Sequence, residues 1–415
     1  EIVQKCRGKN LFFSTDLKTN ISKADMIFIS VNTPTKNKGL GAGEASDLKW
    51  VEASARQVAS FSRGYTIVVE KSTLPVRTAE VIKKILDASQ PSLNVIKKSF
   101  DVLSNPEFLS EGRAIKDLNN PDRILIGGDS NDAIIALSNI YKHWVPENKI
   151  LHTNIWSSEL AKLTSNAFLA QRISSINSIG ALCEATGADL REVARAIGSD
   201  SRIGSKFLDA GPGFGGSCFK KDILNLVYLS KYFNLPDVAG FWESVVNLNN
   251  WHQHRISKLI VKKLFGTISA KKICILGFAF KANTNDTRES AAINICKDLL
   301  EEGAFLFIHD PKVSWRQIEI DLKLSPIHEI KPLSEVQNFE SYEGQWYFDD
   351  DIKLAAKKAD AIVVLTEWEE YSKLNWEDIA NSMRSPGWVF DARSIVNQPE
   401  VIKSGLNFWR VGDGS

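Results

Sequence analysis

The sequence predicts an α/β protein in which two α/β domains are joined by a helical middle with a long central helix. Three observations predict it. Over roughly the first 150 residues, short β-branched runs alternate with helical patterns, as in strands laid side by side in a parallel sheet with helices between them. From Ser157 to about residue 265, apolar residues recur at helical spacing almost without interruption. At Lys271 the order strand, turn, helix, strand resumes. A chain of 415 residues exceeds one ordinary domain, and the changes of character place boundaries at 1–153, 154–265 and 266–415.

The elements follow in order. "MIFISVNTPT" (26–35) reads as an apolar strand that ends in polar turn residues. In 65–86 a strand leads to Ser72 and Thr73, which read as helix N-caps, with Pro75 in the first helical turn. "DVLSNPEFLSEG" (101–112) repeats the scheme, with Asn105 as cap and Pro106 at the first helical position, so that Glu107 and Glu111 share a helix face. "DRILIGGD" (122–129) is a further strand. Ligands of open parallel sheets sit at the carboxyl ends of the strands, so 32–35, 72–73 and 105–111 should gather at one edge. In the helical middle, Lys162 and Asn166 lie four residues apart and share a face. Another long helix is expected over about 237–265, and later strands over 359–368 and 387–396. The polar, aromatic stretch 341–351 reads as a surface insertion.

Composition narrows the function. The chain is 43% hydrophobic and 24% charged with a net charge of +1, so it lacks the basic excess that nucleic acid or an anionic membrane surface calls for. No apolar run approaches a membrane span. Five cysteines, at 6, 183, 218, 274 and 296, have neither disulfide-framework nor zinc spacing, which suits a reducing, cytoplasmic setting. His252 and His254, two apart, do not share a helix face, and no metal is expected.

"GPGFGGSCFKKDILNLVYL" (211–229) carries the chemistry. Gly213, Gly215 and Gly216 let the backbone turn sharply and approach a ligand closely. A helix should begin near Ser217, which puts Cys218 at its first turn, beside Lys220 and Lys221. Unpaired amides, the helix dipole and nearby cations all favour a thiolate. From these residues alone, Cys218 is either a nucleophile or a small cysteine packed in a turn.

Seven stretches run in order from about residue 6 to about 395: "SVNTPT", "EKSTLPVR", "SNPEFLSEG", "ELAKLTSNAFLAQRISSINS", "GFGGSCFKKD", "GFAFKANTNDTRES" and "FDAR". Together they resemble the UDP-glucose/GDP-mannose dehydrogenase family of nucleotide-sugar dehydrogenases, its animal-type, UDP-glucose-oxidising members most closely. The resemblance implies two Rossmann-like α/β domains, the first for NAD and the last for UDP. It also implies a four-electron oxidation of UDP-glucose to UDP-glucuronate, which feeds glycan and glucuronide synthesis. On this pattern Cys218 is the nucleophile that traps the aldehyde and carries the thioester. Lys162 and Asn166 stabilise the oxyanion at C6, Asp222 assists beside the nucleophile, Glu107 is the base for hydrolysis, and Thr73 helps place the water.

Cofactor contacts carry over to Val31, Asn32, Thr33, Pro34, Thr35, Ser72, Thr73, Leu74, Glu111, Cys218, Lys221 and Arg288. Substrate contacts carry over to Glu107, Phe108, Leu109, Glu111, Lys162, Asn166, Arg202, Gly211, Phe214, Gly215, Phe280, Lys281 and Arg393. Close relatives often have lysine at the position of Asp209, so no side-chain role is carried over there. The family implies a homo-oligomer, a dimer through the long helices or an assembly of dimers, with no metal, nucleic acid or membrane partner.

One departure stands out. The family opens with a strand and a G-x-G-x-x-G turn for the NAD pyrophosphate, then an acidic residue for the ribose. The first residues of this chain match a point past both. "GLGAGEASD" (39–47) follows a loop, and "ILGFAF" (275–280) belongs to the second α/β domain, so neither substitutes. A fragment with an incomplete N-terminal sheet is expected, in which the 26–31 strand exposes an edge and NAD binding is impaired. Two other readings remain open. One is a related dehydrogenase for another nucleotide sugar, distinguished at the loop 202–215. The other is a non-catalytic sugar-nucleotide-binding protein.

Overall fold

Residues 2–88, 98–327 and 344–414 are described by the computed structural model. They fall into two compact units. One comprises the chain up to Ser165 together with Leu224–Leu235, and the other Asn166–Ile223 together with the chain from Pro236.

The first unit opens with two short helices, α1 (Ile2–Cys6) and α2 (Leu17–Ile21). Then come β1 (Met26–Ile29), α3 (Lys49–Phe61), β2 (Tyr65–Glu70), α4 (Thr78–Ala88) and β3 (Ser99–Ser104). The unit continues with α5 (Ala114–Asn119), β4 (Ile124–Gly127), α6 (Asn131–Tyr141) and β5 (Ile150–Thr153). The strands form one sheet in the order β1-β2-β3-β4-β5. Val68, Val69 and Leu103 are fully buried, because helices cover both faces, as the near-continuous apolar runs require. β1 is an edge strand, with β2 beside it and Phe28 42% exposed, as expected for this stretch.

Several expectations for this unit need correction. The sheet is not wholly parallel, since β3 meets β4 antiparallel at Ser104 and Gly127. The connection between them holds only the six-residue α5, not the full crossover helix that a parallel neighbour needs. Ser72 and Thr73 do not cap a helix. A turn at Pro75, whose carbonyl accepts from Thr78 N and Oγ1, and a left-handed Arg77 (φ 77°) delay α4 to Thr78. Asn105 does not cap either, and Pro106 does not start a helix. The Asn105 amide is drawn inward, donating to Leu125 O at 2.8 Å and accepting from Tyr141 at 2.6 Å. Glu107 and Glu111 therefore do not share a helix face. The strand β5 went unread in the sequence.

α7 (Ile155–Thr186) is the long helix, with residues in both units. The second unit continues with α8 (Leu190–Gly198), α9 (Phe219–Tyr232), whose last turns belong to the first unit, and α10 (Pro236–Lys263). The expected helical run is broken over 199–218, which forms turns and loop. The glycines and Pro212 explain the break.

The second sheet begins with β6 (Lys272–Leu276), α11 (Ala291–Glu301), β7 (Phe305–His309), α12 (Trp315–Leu322) and β8 (Gln345–Phe348). It ends with α13 (Ile352–Ala356), β9 (Ala361–Val364), α14 (Trp376–Ser382), β10 (Trp388–Asp391), α15 (Gln398–Lys403) and β11 (Asn407–Arg410). The strand order is β11-β10-β9-β6-β7-β8, every pair parallel. Ile273, Ile275, Ile362, Val363 and Phe390 are fully buried at its centre. The stretch 341–351 is not a surface insertion where it is described. β8 lies within it, Trp346 is fully buried, and 341–343 lie outside the described residues. Aromatic residues read as surface patch from composition, yet β7 offers an edge on which they pack, with Phe307 and Tyr347 stacked at 4.6 Å.

Candidate functional site

In the second unit, the loop before α9 presents Cys218. The thiol is exposed, while the Cys218 carbonyl accepts from Asp222 N at 2.9 Å and so closes the first helical turn. The loop is held from two sides. Asn249 on α10 accepts from Phe214 N at 2.8 Å and donates to Phe214 O at 3.1 Å. Asn177 on α7 accepts from Gly211 N at 3.0 Å, and His252 on α10 bonds Gly211 O through Nε2 at 2.9 Å. Burial lowers the His252 pKa to about 4, with Arg255 adding to the shift against the bond to Gly211, so the ring stays neutral and donates from Nε2. On the other side Gly216 N donates to Arg288 O at 2.8 Å, and a side chain at Gly215 or Gly216 would strike Phe280.

The glycines are therefore required by contact as well as by conformation. Gly213 has φ +126°, and a Cβ there would lie 2.7 Å from the Asn249 Oδ1 that holds Phe214. Gly213→Ala is expected to destabilise the protein by about 1–3 kcal/mol, read as a lower thermal midpoint, and to release the Cys218 loop. An unchanged midpoint would show that the loop tolerates the displacement.

Asn166 and Asp222 are buried together, with Asn166 Nδ2 donating to Asp222 Oδ2 at 2.6 Å. Both lysines that the sequence sets beside Cys218 meet carboxylates, Lys220 with Glu289 at 2.8 Å and Lys221 with Asp222 at 3.6 Å. Their charge is thus balanced locally. Arg393 reaches Phe280 O at 2.7 Å and Leu365 O at 2.8 Å, with Glu367 at 3.1 Å, and lies beside Gly211. Lys281 lies over the Phe280 ring at 5.4 Å. Gly211, Phe214, Gly215, Cys218, Phe280, Arg288 and Arg393 are thus brought together. Arg202 is not among them: its guanidinium is exposed and pairs with Asp200 at 2.6 Å.

In the first unit, the expected cofactor segments meet. Thr33 Oγ1 donates to Thr73 O at 3.0 Å and Ser72 Oγ to Val31 O at 2.7 Å, which joins 31–35 to 72–74 beyond β1 and β2. Leu74 is buried and Asn32 exposed. Beside them Lys162, buried on α7, lies 3.5 Å from Glu107 Oε1 and over the Phe108 ring at 5.2 Å. Glu107 Oε2 accepts from Leu109 N at 2.6 Å, and Leu109 and Glu111 are exposed.

Sequence reasoning passed over three neighbours here. Lys71 donates to Asn105 Oδ1 at 3.0 Å and Tyr141 at 3.2 Å. Burial lowers its pKa to about 8, with Glu107 opposing and Lys162 reinforcing the shift. Lys71 stands within "EKSTLPVR", which could have flagged it, whereas Tyr141 had no signal. Arg123 stacks on Phe108 at 3.8 Å.

The loop after β6 is occupied by the chain itself. Asp310 Oδ2 accepts from Phe278 N at 2.7 Å and Ala279 N at 3.0 Å, so a carboxylate of the chain itself occupies the loop amides, and α11 starts only at Ala291. Among the described residues no cluster fit for a metal occurs and no helix is long and apolar enough to cross a membrane.

The chain matches three consecutive domains of one family: the NAD binding domain over 1–145, the central domain over 156–251 and the UDP binding domain over 274–398. It is 54% identical to the UDP-glucose 6-dehydrogenase of Pongo abelii over 404 residues, 96% of this chain and 78% of that one. It is 52% identical to the Drosophila melanogaster UDP-glucose 6-dehydrogenase over 417 residues, 99% of this chain and 85% of that one. A UDP-glucose dehydrogenase structure from Pyrobaculum islandicum aligns with a TM-score of 0.78 at 28% identity, covering 97% of this chain and 83% of that one. The chain belongs to the UDP-glucose/GDP-mannose dehydrogenase family.

Proposed function

We propose that the protein oxidises UDP-glucose to UDP-glucuronate in two NAD-dependent steps on a covalent cysteine intermediate. The observation that supports the covalent route is the over-determined loop that presents an exposed Cys218 at the head of α9, in one unit with the buried Asn166–Asp222 pair. The joined segments 31–35 and 72–74, small and polar, fit the nicotinamide side of NAD, and Glu111, Lys221 and Arg288 complete the proposed contacts. NAD, when bound, supplies the acceptor for each hydride lost from C6.

The chain's own groups do the rest. Lys162 and Asn166 donate N–H to the C6 oxygen as negative charge grows on it. Cys218 Sγ adds to the aldehyde carbon, and after the second oxidation the sulfur is held as a thioester. Glu107, with Thr73, takes a proton from the attacking water while the C–S bond breaks and the thiolate leaves. The UDP end falls to Phe280, Lys281, Arg393 and the loop with Gly211, Phe214 and Gly215; Phe108 and Leu109 are retained as proposed contacts, and Arg202 as one only once its pairing with Asp200 opens. Asp222 orients Asn166 through their bond.

Exposed Phe168 and Leu182 on α7 and Phe241 and Trp251 on α10 support a homo-oligomer built on these helices. Free cysteines support a reducing, cytoplasmic location. The division at 1–153, 154–265 and 266–415 is retained as the domain reading.

NADH formed per UDP-glucose consumed tests the function. Two per sugar are expected. One per sugar would remove the second oxidation. Turnover of another nucleotide sugar in place of UDP-glucose would make the protein a related dehydrogenase. Binding of UDP-glucose without any NADH would leave the dehydrogenase and the binding-protein readings both standing.

A further inference from the structure

Glu70 and Glu159 are buried carboxyls that the reaction does not use. Glu70 ends β2 and Glu159 lies near the start of α7, each 2% exposed. Glu159 Oε2 accepts from Arg77 N at 2.6 Å and Oε1 from Ala79 N at 2.8 Å. It thus caps α4. The Glu70 carboxyl lies within hydrogen-bonding reach of Glu159, and Glu70 Oε2 is buried with no hydrogen-bond partner among the described residues.

The surrounding charges do not neutralise the pair. On β2 the next residue, Lys71, turns to Asn105 and Tyr141. On α7 Lys162 faces Glu107. At the head of α4 Arg77 pairs with Glu80 at 3.2 Å and lies over Trp156. β1 and β3 present Ile29 and Ser104 opposite Glu70. Two carboxylates in contact without a cation do not both ionise. Burial, and then the neighbouring Glu159, push the Glu70 pKa well up. Burial also raises Glu159, against the lowering effect of its backbone N–H bonds. Since both Glu159 oxygens already accept N–H bonds, the proton belongs on Glu70.

We propose that Glu70, as a neutral acid, donates to the Glu159 carboxylate, and that this proton-sharing pair is the positioning device that fixes segment 72–77, with Thr73, against the turn of α7 just before Lys162. The proton assignment stands by itself, whereas the positioning role rests on the function proposed above. The segment has no regular hydrogen bonding of its own between Glu70 and Thr78, so the pair and the bonds to 31–33 set its course.

The sign of the pH effect follows. A carboxyl whose folded pKa is raised contributes stability below its unfolded value, near 4.3, and that stability is lost as pH rises toward the folded value. Glu70→Gln supplies an N–H donor that cannot ionise. In the full chain its thermal midpoint should exceed that of the unaltered protein by a margin that grows to a few degrees between about pH 5 and pH 9. Turnover of UDP-glucose should stay within about threefold for Glu70→Gln. Glu70→Leu and Glu159→Ala should each lower kcat by about tenfold or more.

Midpoints that run parallel at every pH would overturn the shared proton. Unaltered kcat in Glu159→Ala, or no recovery in Glu70→Gln relative to Glu70→Leu, would overturn the positioning role. Should Glu70→Gln fail to fold, the infrared spectrum of the unaltered protein decides. A carboxylic-acid C=O band at neutral pH supports the pair, and its absence overturns it. The unfolding and infrared readouts need no turnover, so they hold even if the protein acts on another sugar.

Discussion

Cys218→Ser should abolish net turnover, by about 10³-fold or more, while UDP-glucose still binds. The thiol is exposed and meets Ser217 Oγ at 3.5 Å, so its loss leaves the loop's anchors at Asn249, Asn177 and His252 intact. The first hydride loss does not need sulfur. The variant should therefore show at most a single NADH per site in a burst, then stall, because a serine adduct is formed and hydrolysed far less readily. Rapid-mixing absorbance separates burst from steady state, and calorimetry reports binding. Steady production of two NADH per sugar by this variant would remove the covalent route.

Lys162→Met should lower kcat by about 10²–10³-fold with UDP-glucose KM changed only a few-fold. The lysine is 4% exposed, and a buried ammonium acts in a low-dielectric setting where its field on a developing oxyanion is strong. Methionine keeps most of the stem and loses only the ammonium that lies over the Phe108 ring at 5.2 Å. Glu107, which loses a partner at 3.5 Å, has a side chain 34% exposed and can turn to water, so the thermal midpoint should barely move. If KM rises and kcat does not, Lys162 binds substrate without stabilising the transition state.

Much of this arrangement could be read from residue types and spacing, and the failures have physical causes. The i,i+4 pair of Lys162 and Asn166 survives because α7 is long and regular enough for spacing to decide geometry. The turn before Cys218 was readable because glycines cluster there and leave few alternatives. Ser72 and Asn105 misled because a hydroxyl or amide shortly before proline looks like a cap, whereas here tertiary partners at Val31, Leu125 and Tyr141 take those groups. The Glu159 cap could not be seen at all, since it lies 80 residues in sequence from the amide it accepts. β8 was missed because its polar and aromatic residues read as a surface insertion, although Trp346 is fully buried.

Asp310 has a consequence for timing. By accepting from the amides after β6 it fills with a carboxylate of the chain the place where a dinucleotide turn would offer its N–H groups to a pyrophosphate. A reaction needing two hydride acceptors must then discharge the spent one and recruit another while the half-oxidised sugar waits. Cys218 shares its unit with Phe280 and Arg393, while Thr33, Ser72 and Thr73 lie in the other. On the proposed assignments the tether and the UDP contacts at Phe280 and Arg393 lie in the same unit, so the half-oxidised sugar stays bound through Cys218. Aldehyde escape would then be governed by a bond lifetime, independent of how fast the carrier is renewed.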